Sequence, residues 1–284
     1  MSRRILMASI LVSALLVSGQ GWAEAPLSAE QIGRIVAEPG RSSADRTNDL
    51  RRKPEPMLAF IGVKPGMVAL DLSAAGGYTT ELLARAVGPS GMVYGQSPPA
   101  RDPNRAPPPP AAPEGNSNPA IVSNSPPTAG APRPSAVALA ERDQRLQTAG
   151  IPAARIVAVS RPFEDPIPPE LVGRLDLITL MFNYHDLGHL GVDRAPMNAA
   201  VFRALKPGGL YVIADHAGRP GTGISESGSL HRIEEAFLRR EVEEAGFKLE
   251  AEGRFLHNPN DPKDRNTPDP PQPKDEFVLK FVKP

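Results

Sequence analysis

Two short segments rich in histidine and carboxylate side chains contain the residues best suited to acid–base chemistry. Residues 183–189 read Asn-Tyr-His-Asp-Leu-Gly-His, and Asp215-His216 follows further along the chain. A neutral imidazole that titrates near neutral pH can accept a proton from a hydroxyl or an amine, and a carboxylate can orient the ring. His185 or His216 is therefore the predicted base, with Asp186 or Asp215 orienting it. The alternative is that these side chains only cap strand ends and bond one another.

The same region admits two further interpretations. His231 follows a glycine-rich stretch, residues 218–228, and could cover the site as part of a lid or simply cap a helix. A metal ion is the second possibility, because oxygen and imidazole ligands suit Zn, Mn or Mg. Its candidate ligands are His185, Asp186, His189, Asp215 and His216. Glycine lies between the first and second of these histidines, so the segment need not be helical and their spacing fixes no geometry.

A glycine-rich turn is a further candidate site. Residues 71–78 read Asp-Leu-Ser-Ala-Ala-Gly-Gly-Tyr and follow a short apolar run that predicts a buried strand. Small residues let a ligand approach the backbone, and a helix that starts there presents free N–H groups. A purely structural strand-to-helix turn would look similar, so the surrounding elements have to decide.

Strand-like and helix-like segments alternate along most of the chain. Apolar runs predict strands over 67–72, 92–96, 156–160, 175–181, 210–214, 248–255 and 277–282. Helical periodicity and capping residues predict helices from Ser28 and over 55–61, 79–87, 135–149, 196–205 and 231–245. Such alternation favours a mainly parallel sheet, with the last two strands as an antiparallel pair. Ligands of such sheets bind at the carboxyl ends of the strands, which is where the candidate residues lie.

Several segments together resemble the class I S-adenosylmethionine-dependent methyltransferases, and more narrowly a bacterial group of predicted exported methyltransferases. The resembling segments are Asp71 with Gly76-Gly77, and residues 60–66, 160–166, 183–186, 204–209, 215–216, 230–232 and 245–247. The resemblance implies a Rossmann-like α/β fold with a mainly parallel seven-stranded sheet and a C-terminal antiparallel strand pair. It also implies S-adenosylmethionine as cofactor and a small-molecule or otherwise unidentified methyl acceptor.

The resemblance further assigns positions to the cofactor. Asp71, Ser73, Gly76, Gly77 and Tyr78 would face its methionine and ribose end, Gln96 its ribose hydroxyls, Glu164 and Asp165 its adenine, and Asn183 its methyl group. Two departures from the usual pattern stand out, since Ser73 and Ala75 occupy glycine positions and Gln96 replaces an acid. An exported binding protein that keeps this fold without turnover is therefore the main alternative, and a metal-assisted hydrolase built on the histidine cluster is the third.

The N-terminus predicts export. Arg3-Arg4 precede an apolar run, residues 5–17, and small residues follow, so residues 1–23 are expected to be a signal peptide cleaved after Ala23, with a periplasmic product. Residues 24–60 are expected to form a helical arm, with Arg46, Asp49 and Arg52 on one helical face, either closing over the ligand or solvated. The methyltransferase-like domain would then span 61–284. No stable membrane insertion is expected after cleavage.

Composition narrows the remaining classes. The 284 residues contain no cysteine, which excludes disulfide scaffolds, thiolate metal sites and a cysteine nucleophile. Basic and acidic side chains number 32 each, so no broad positive surface is expected and nucleic acid is not a predicted partner. Many of the 34 prolines fall within residues 97–134, which predicts a disordered insertion in the domain.

Overall fold

The computed structural model describes residues 25–100, 110–112, 133–266 and 272–284. The predicted signal peptide and most of the predicted proline-rich insertion lie outside these residues. Among the helices in the described part of the chain, none is both long and apolar enough to cross a membrane.

A seven-stranded sheet forms the centre of the fold. Its strands are β1 (Val68–Leu72), β2 (Met92–Ser97), β3 (Arg155–Ser160), β4 (Leu175–Met181), β5 (Leu205–His216), β6 (Lys248–Gly253) and β7 (Glu276–Val282). They lie in the order β3-β2-β1-β4-β5-β7-β6. The first five strands in this order, β3, β2, β1, β4 and β5, are parallel to one another. Strand β7 runs antiparallel to both β5 and β6. The predicted α/β architecture with an antiparallel C-terminal pair is confirmed.

Helices connect the strands and form the N-terminal arm. They are α1 (Ala29–Ala37), α2 (Ser43–Arg52), α3 (Pro54–Ile61), α4 (Tyr78–Val87), α5 (Ser135–Thr148), α6 (Tyr184–His189), α7 (Arg194–Ala204), α8 (Ser227–Leu230) and α9 (Glu235–Glu244). The capping box predicted at Ser28 is present, because its hydroxyl accepts from the Gln31 N–H and the Gln31 side chain accepts from the Ser28 N–H. Glycines at positive φ end α3 and α4, at Gly62 and Gly88.

Helices pack on both faces of the sheet because successive strand residues point to opposite sides. Ala69, Leu177 and Val212 belong to the core shared with α1, α3, α4 and α5. Their neighbours along the same strands, Leu70, Ile178 and Tyr211, belong to the core shared with α6, α7 and α9. The sheet is thus buried on both sides, and its strand ends remain as the place for polar chemistry.

The structure differs from prediction in one segment next to those strand ends. The helix expected over 231–245 begins only at Glu235. Before it, Ile233 pairs with Ala217 in a parallel bridge, so the chain is extended where a helix was expected. The segment beginning at Tyr184, whose conformation the sequence left open, is helical. These two segments carry His231 and His185.

Candidate functional site

The carboxyl ends of β1, β4 and β5 meet at the edge of the sheet where the strand order reverses. Among the described residues, six non-glycine residues have a positive φ angle. Ser73 and Ala75 after β1, Phe182 after β4 and His231 after α8 are four of these. Such backbone costs a non-glycine residue about 1 kcal/mol or more, and strain of this kind collects at functional sites. This edge is therefore the candidate site.

The turn between β1 and α4 has a left-handed backbone at three positions, and two of these positions are not glycine. Ser73 has a φ of 56°, Ala75 of 45° and Gly77 of 79°. A Cβ atom at Gly77 would lie 2.7 Å from Leu139 Cδ2, so this position also requires glycine for space. A Cβ atom at Gly76 would meet nothing within 4 Å. The turn thus combines one tightly packed position with one that faces open space.

Asp71 lies inside the sheet beneath this turn. Its two carboxylate oxygens accept hydrogen bonds from the hydroxyls of Thr80, at 2.7 Å, and Thr179, at 2.9 Å. Burial raises the pKa of Asp71 to about 6, even though both hydrogen bonds and the nearby guanidinium of Arg52 act in the opposite direction. These bonds join β1 to α4 and β4, so Asp71 positions the turn.

Gln96 is fully buried at the end of β2 and holds two loops together. Its side-chain oxygen accepts from the N–H of Ser73 at 3.1 Å, and its amide nitrogen donates to the carbonyl of Arg161 at 2.6 Å. An amide can do both, whereas a carboxylate can only accept. The replacement of the usual acid by glutamine therefore has a structural reason.

The turn is connected to the histidine cluster through Asn183. The hydroxyl of Ser73 donates to Asn183 Oδ1 at 2.6 Å, and Asn183 Nδ2 donates to Asp186 Oδ2 at 2.7 Å. The predicted cofactor position and the predicted catalytic position thus share a continuous chain of hydrogen bonds.

The cluster brings together three histidines and their carboxylates. His185 Nδ1 lies 2.6 Å from Asp215 Oδ1, and the backbone N–H of His185 donates to the other oxygen of Asp215 at 2.8 Å. His231 Nδ1 lies 3.1 Å from Asp186 Oδ1. The ring of His216 packs 5.3 Å from that of His185 between centroids. Its Nδ1 atom lies 3.0 Å from a carboxylate oxygen of Glu276 on β7.

Ionisation within the cluster follows from its burial and its charges. Burial lowers the pKa of His185, but the carboxylates of Asp215 and Asp186 outweigh this effect and raise the pKa to about 10. Burial likewise raises the pKa of Asp186, but the hydrogen bonds and charges of His185 and His231 hold it below its usual range. The two carboxylates therefore favour the charged form of the His185 ring.

A short piece of the chain within the predicted insertion reaches this cluster. The N–H of Ala112 donates to the carbonyl of Gly228 at 2.9 Å, and the carbonyl of Ala112 lies 2.6 Å from His231 Nε2. Nothing in the sequence pattern indicated this contact. It fixes the second ring nitrogen of His231 against a backbone acceptor.

The N-terminal arm covers the turn and adds residues that the sequence pattern did not single out. Arg41 forms a bidentate pair with Asp49, and the Tyr78 hydroxyl donates to Asp49 at 2.7 Å. The guanidinium carbon of Arg52 lies 5.3 Å from the ring centre of Tyr78 and 4.7 Å from that of Phe182. Burial, together with the adjacent Arg51, lowers the pKa of Arg52 to about 10. The face expected on α2 thus packs against the turn, except for Arg46, which is exposed.

A second set of ion pairs holds the turn from the side of α5. Arg142 donates to the carbonyl of Gly76 at 2.6 Å and to the carboxylates of Asp45 and Glu81. Burial raises the pKa of Glu81, but its bonds to Arg85 and Arg142 outweigh this and lower it. No spacing in the sequence signals these contacts, because their partners are separated by 61 to 97 residues.

The remaining predicted residues lie at the margin of the site. Glu164 and Asp165 are exposed in the loop after β3, where Asp165 pairs with Arg161. His189 lies at the far end of α6, where its N–H donates to the hydroxyl of Ser227 at 2.9 Å. Among the described residues, the group of ligand atoms close enough to hold a metal is formed by His185, Asp186 and His231, and so differs from the predicted set.

Solved structures of other proteins have the same fold. A S-adenosylmethionine-dependent methyltransferase from Aquifex aeolicus aligns with a TM-score of 0.51 and 15% identity over 91% of this chain and 100% of its own. An arsenic(III) S-adenosylmethionine methyltransferase from Chlamydomonas reinhardtii has a TM-score of 0.50 and 16% identity, over 90% of this chain and 73% of its own. The cyclase SpnF has a TM-score of 0.50 and 16% identity, over 87% and 86%.

These similarities establish the fold of the chain. No family model matches the sequence, and no curated protein is detectably similar to it. The chain has the Rossmann-like fold of class I S-adenosylmethionine-dependent methyltransferases. Because a cyclase also has this fold, the reaction has to be argued from the site itself.

Proposed function

We propose that this chain, with its class I methyltransferase fold, is an enzyme that transfers a methyl group from S-adenosylmethionine to a small-molecule acceptor. The cofactor, when bound, supplies an electrophilic methyl group on a sulfonium. In-line displacement requires little of a protein beyond alignment of the acceptor and help with its proton. The residues of the candidate site are suited to these two tasks.

The strained turn after β1 is the observation that carries the proposal. Ser73 and Ala75 both have a left-handed backbone, which is unfavourable for residues that carry a Cβ atom. A turn with no ligand to bind could relax to an ordinary conformation. Retention of this shape fits close approach of a ligand to the backbone, and Gly76 leaves open space on the turn.

We propose the other cofactor contacts at the positions that the family resemblance implies. Asn183 lies between the turn and the histidine cluster, which suits a position near the transferring methyl group. Asp165 is exposed after β3, where it can receive the adenine amino group. Gln96 has both side-chain groups engaged within the chain, so any contact it makes to the ribose uses the second lone pair of its oxygen or the second N–H of its amide.

The histidine cluster is proposed to activate the acceptor. Asp186 is linked to Asn183 on one side and faces His185 and His231 on the other. An acceptor held here would lie next to the turn that receives the cofactor. Export to the periplasm is a further part of the proposal, and it rests on the N-terminal sequence pattern alone.

Calorimetry of the mature chain, residues 24–284, tests the proposal. S-adenosylmethionine and S-adenosylhomocysteine should both bind. Asp165→Ala should weaken binding by about ten- to a hundredfold, since a hydrogen bond to a charged group contributes about 1.5–3 kcal/mol. Glu170→Ala is the matched control, because Glu170 is an exposed carboxylate in the same connection between β3 and β4. No heat from either compound at millimolar concentration, with a folded protein, would refute the proposed function.

A further inference from the structure

Three side chains in the histidine cluster direct potential metal ligands at a common point. His185 Nε2 lies 3.1 Å from Asp186 Oδ1, and His231 Nδ1 lies 3.1 Å from the same oxygen. All three ligand atoms lie within 4.8 Å of one another. His185 and Asp186 are adjacent in the first turn of α6, whereas His231 arrives from the segment between α8 and α9.

Each histidine has its other ring nitrogen held by an acceptor outside the group. His185 Nδ1 is 2.6 Å from Asp215 Oδ1, and His231 Nε2 is 2.6 Å from the carbonyl oxygen of Ala112. Histidines that bind metals almost always donate their second N–H to a carboxylate or a backbone carbonyl in this manner, which fixes the tautomer and the ring orientation. Both rings therefore direct their remaining nitrogen towards Asp186.

Asp215 is itself fixed in place. It accepts the backbone N–H groups of His185 and His216, both at 2.8 Å, and is fully buried at the end of β5. The residue that orients His185 is thus anchored to the sheet. An orienting carboxylate of this kind holds a ligand rigidly, which a metal site requires.

The nitrogen that His185 presents is buried and lies 3.1 Å from Asp186 Oδ1. The side chain is 1% exposed, and this contact leaves Nε2 without a well-formed hydrogen bond to any described residue. Buried polar atoms are nearly always satisfied, and an exception needs an explanation. A ligand at this point would supply the missing partner.

We propose that His185, Asp186 and His231 bind one divalent transition-metal ion, of which Zn²⁺ is the representative. Two imidazoles and one carboxylate are a ligand set typical of zinc sites that keep a further position open. Mg²⁺ and Ca²⁺ prefer oxygen ligands and are expected to bind weakly here.

The metal also defines the class of acceptor, a step that rests on the proposed methyl transfer. A divalent ion lowers the pKa of a thiol or hydroxyl group that binds to it, so that the nucleophilic form is present near neutral pH. The hydrogen-bonded connection through Asn183 places this position next to the cofactor turn. The expected acceptor is therefore a small thiol or hydroxyl compound.

Zinc titration of the metal-stripped mature chain, with a competing chromophoric chelator, tests the site. The wild-type chain should bind one Zn²⁺ ion. Asp186→Asn and His231→Gln should each weaken zinc binding by more than about a hundredfold. Loss of a residue that only supports a ligand weakens metal binding by at most about this factor. His189→Gln is the matched control, since His189 lies on the same short helix outside the ligand group. Circular dichroism verifies that each variant is folded.

Cobalt substitution provides a second measurement. The absorption spectrum of the Co²⁺-loaded chain should show a low-coordinate site, and this spectrum should be lost in His231→Gln and kept in His189→Gln. Absence of zinc binding by the folded wild-type chain, or equal binding by all variants, would overturn the metal site. Binding of S-adenosylhomocysteine to the metal-free chain in that event would leave the proposed methyl transfer standing. Zinc binding without binding of S-adenosylhomocysteine would support the metal site and refute the proposed methyl transfer.

Discussion

Replacement of Gln96 by glutamate is the most informative perturbation of the turn. The substitution Gln96→Glu introduces the acid that the related fold usually has after its second strand. On that basis alone, the substitution would be expected to strengthen cofactor binding. The structure predicts the opposite at neutral pH, because the amide nitrogen of Gln96 donates to the carbonyl of Arg161 at 2.6 Å and a carboxylate cannot donate.

The size of the effect follows from burial. Gln96 is 0% exposed, so an ionised carboxylate would lose the hydrogen bond and leave the Arg161 carbonyl opposite a negative charge. A lost bond with an unsatisfied buried partner costs about 2–4 kcal/mol. The introduced carboxyl group can avoid this cost by keeping its proton, because the neutral acid both donates to Arg161 and accepts from Ser73. A cost of this size corresponds to a folded-state pKa about 1.5–3 units above the ordinary value of about 4.3.

The sign of the pH dependence follows directly. With the pKa raised in the folded state, the folded protein holds the proton more tightly than the unfolded chain, so stability decreases as pH rises between the two values. Gln96→Glu should match the wild-type free energy of unfolding below about pH 4 and fall behind by about 1.4 kcal/mol per pH unit above that. The deficit becomes constant above the folded-state pKa.

Urea unfolding followed by circular dichroism across this pH range provides the measurement. Gln144→Glu is the control, because it adds the same charge at an exposed position of α5 and should change stability by less than about 0.5 kcal/mol. A deficit for Gln96→Glu that is equal at all pH values would refute the reasoning. So would a variant as stable as the wild type at neutral pH.

Other residues below and within the turn give further expectations. The raised pKa of Asp71, about 6 against 3.8, should make the free energy of unfolding fall by about 3 kcal/mol between pH 4 and pH 6, a slope that Asp71→Asn should remove in the same urea assay. Ala75→Gly should raise the melting temperature slightly, since relief of the left-handed backbone exceeds the entropic cost of glycine by up to about 1 kcal/mol; a lower melting temperature would contradict this strain. Gly77→Ala should destabilise by about 2 kcal/mol or more through its positive φ and its clash with Leu139, whereas Gly76→Ala, in open space, should stay within about 1 kcal/mol in thermal melts.

Local sequence signals were sufficient for most of the fold. Apolar runs located the strands, the Ser28 capping box located α1, and the helices predicted over 55–61 and 79–87 correspond to α3 and α4. These signals are reliable because they arise within a few residues. The strand alternation also implied that the carboxyl ends of β1, β4 and β5 would converge, which brought Asn183, Asp215 and the turn into one predicted site.

Local signals failed where a distant contact outweighed helix periodicity. The pairing of Ile233 with Ala217 displaced the start of α9 and gave His231 a left-handed backbone. In the structure His231 contacts Asp186. His189, which was also a candidate metal ligand from the sequence, does not belong to the group of His185, Asp186 and His231. Spacing along the chain could not anticipate this, because the two sides of the bridge are brought together only by packing of the sheet.

By itself, the sequence determined the α/β architecture, the turn after the first strand and the edge of the sheet at which the candidate site lies. Only the tertiary structure decided which atoms meet there. It showed that Gln96 holds two loops, that Arg142 and the N-terminal arm clamp the turn, and that His185 and His231 share Asp186. The physical reason is range, since secondary structure follows from neighbours along the chain, whereas hydrogen bonds, burial and ionisation depend on neighbours in space.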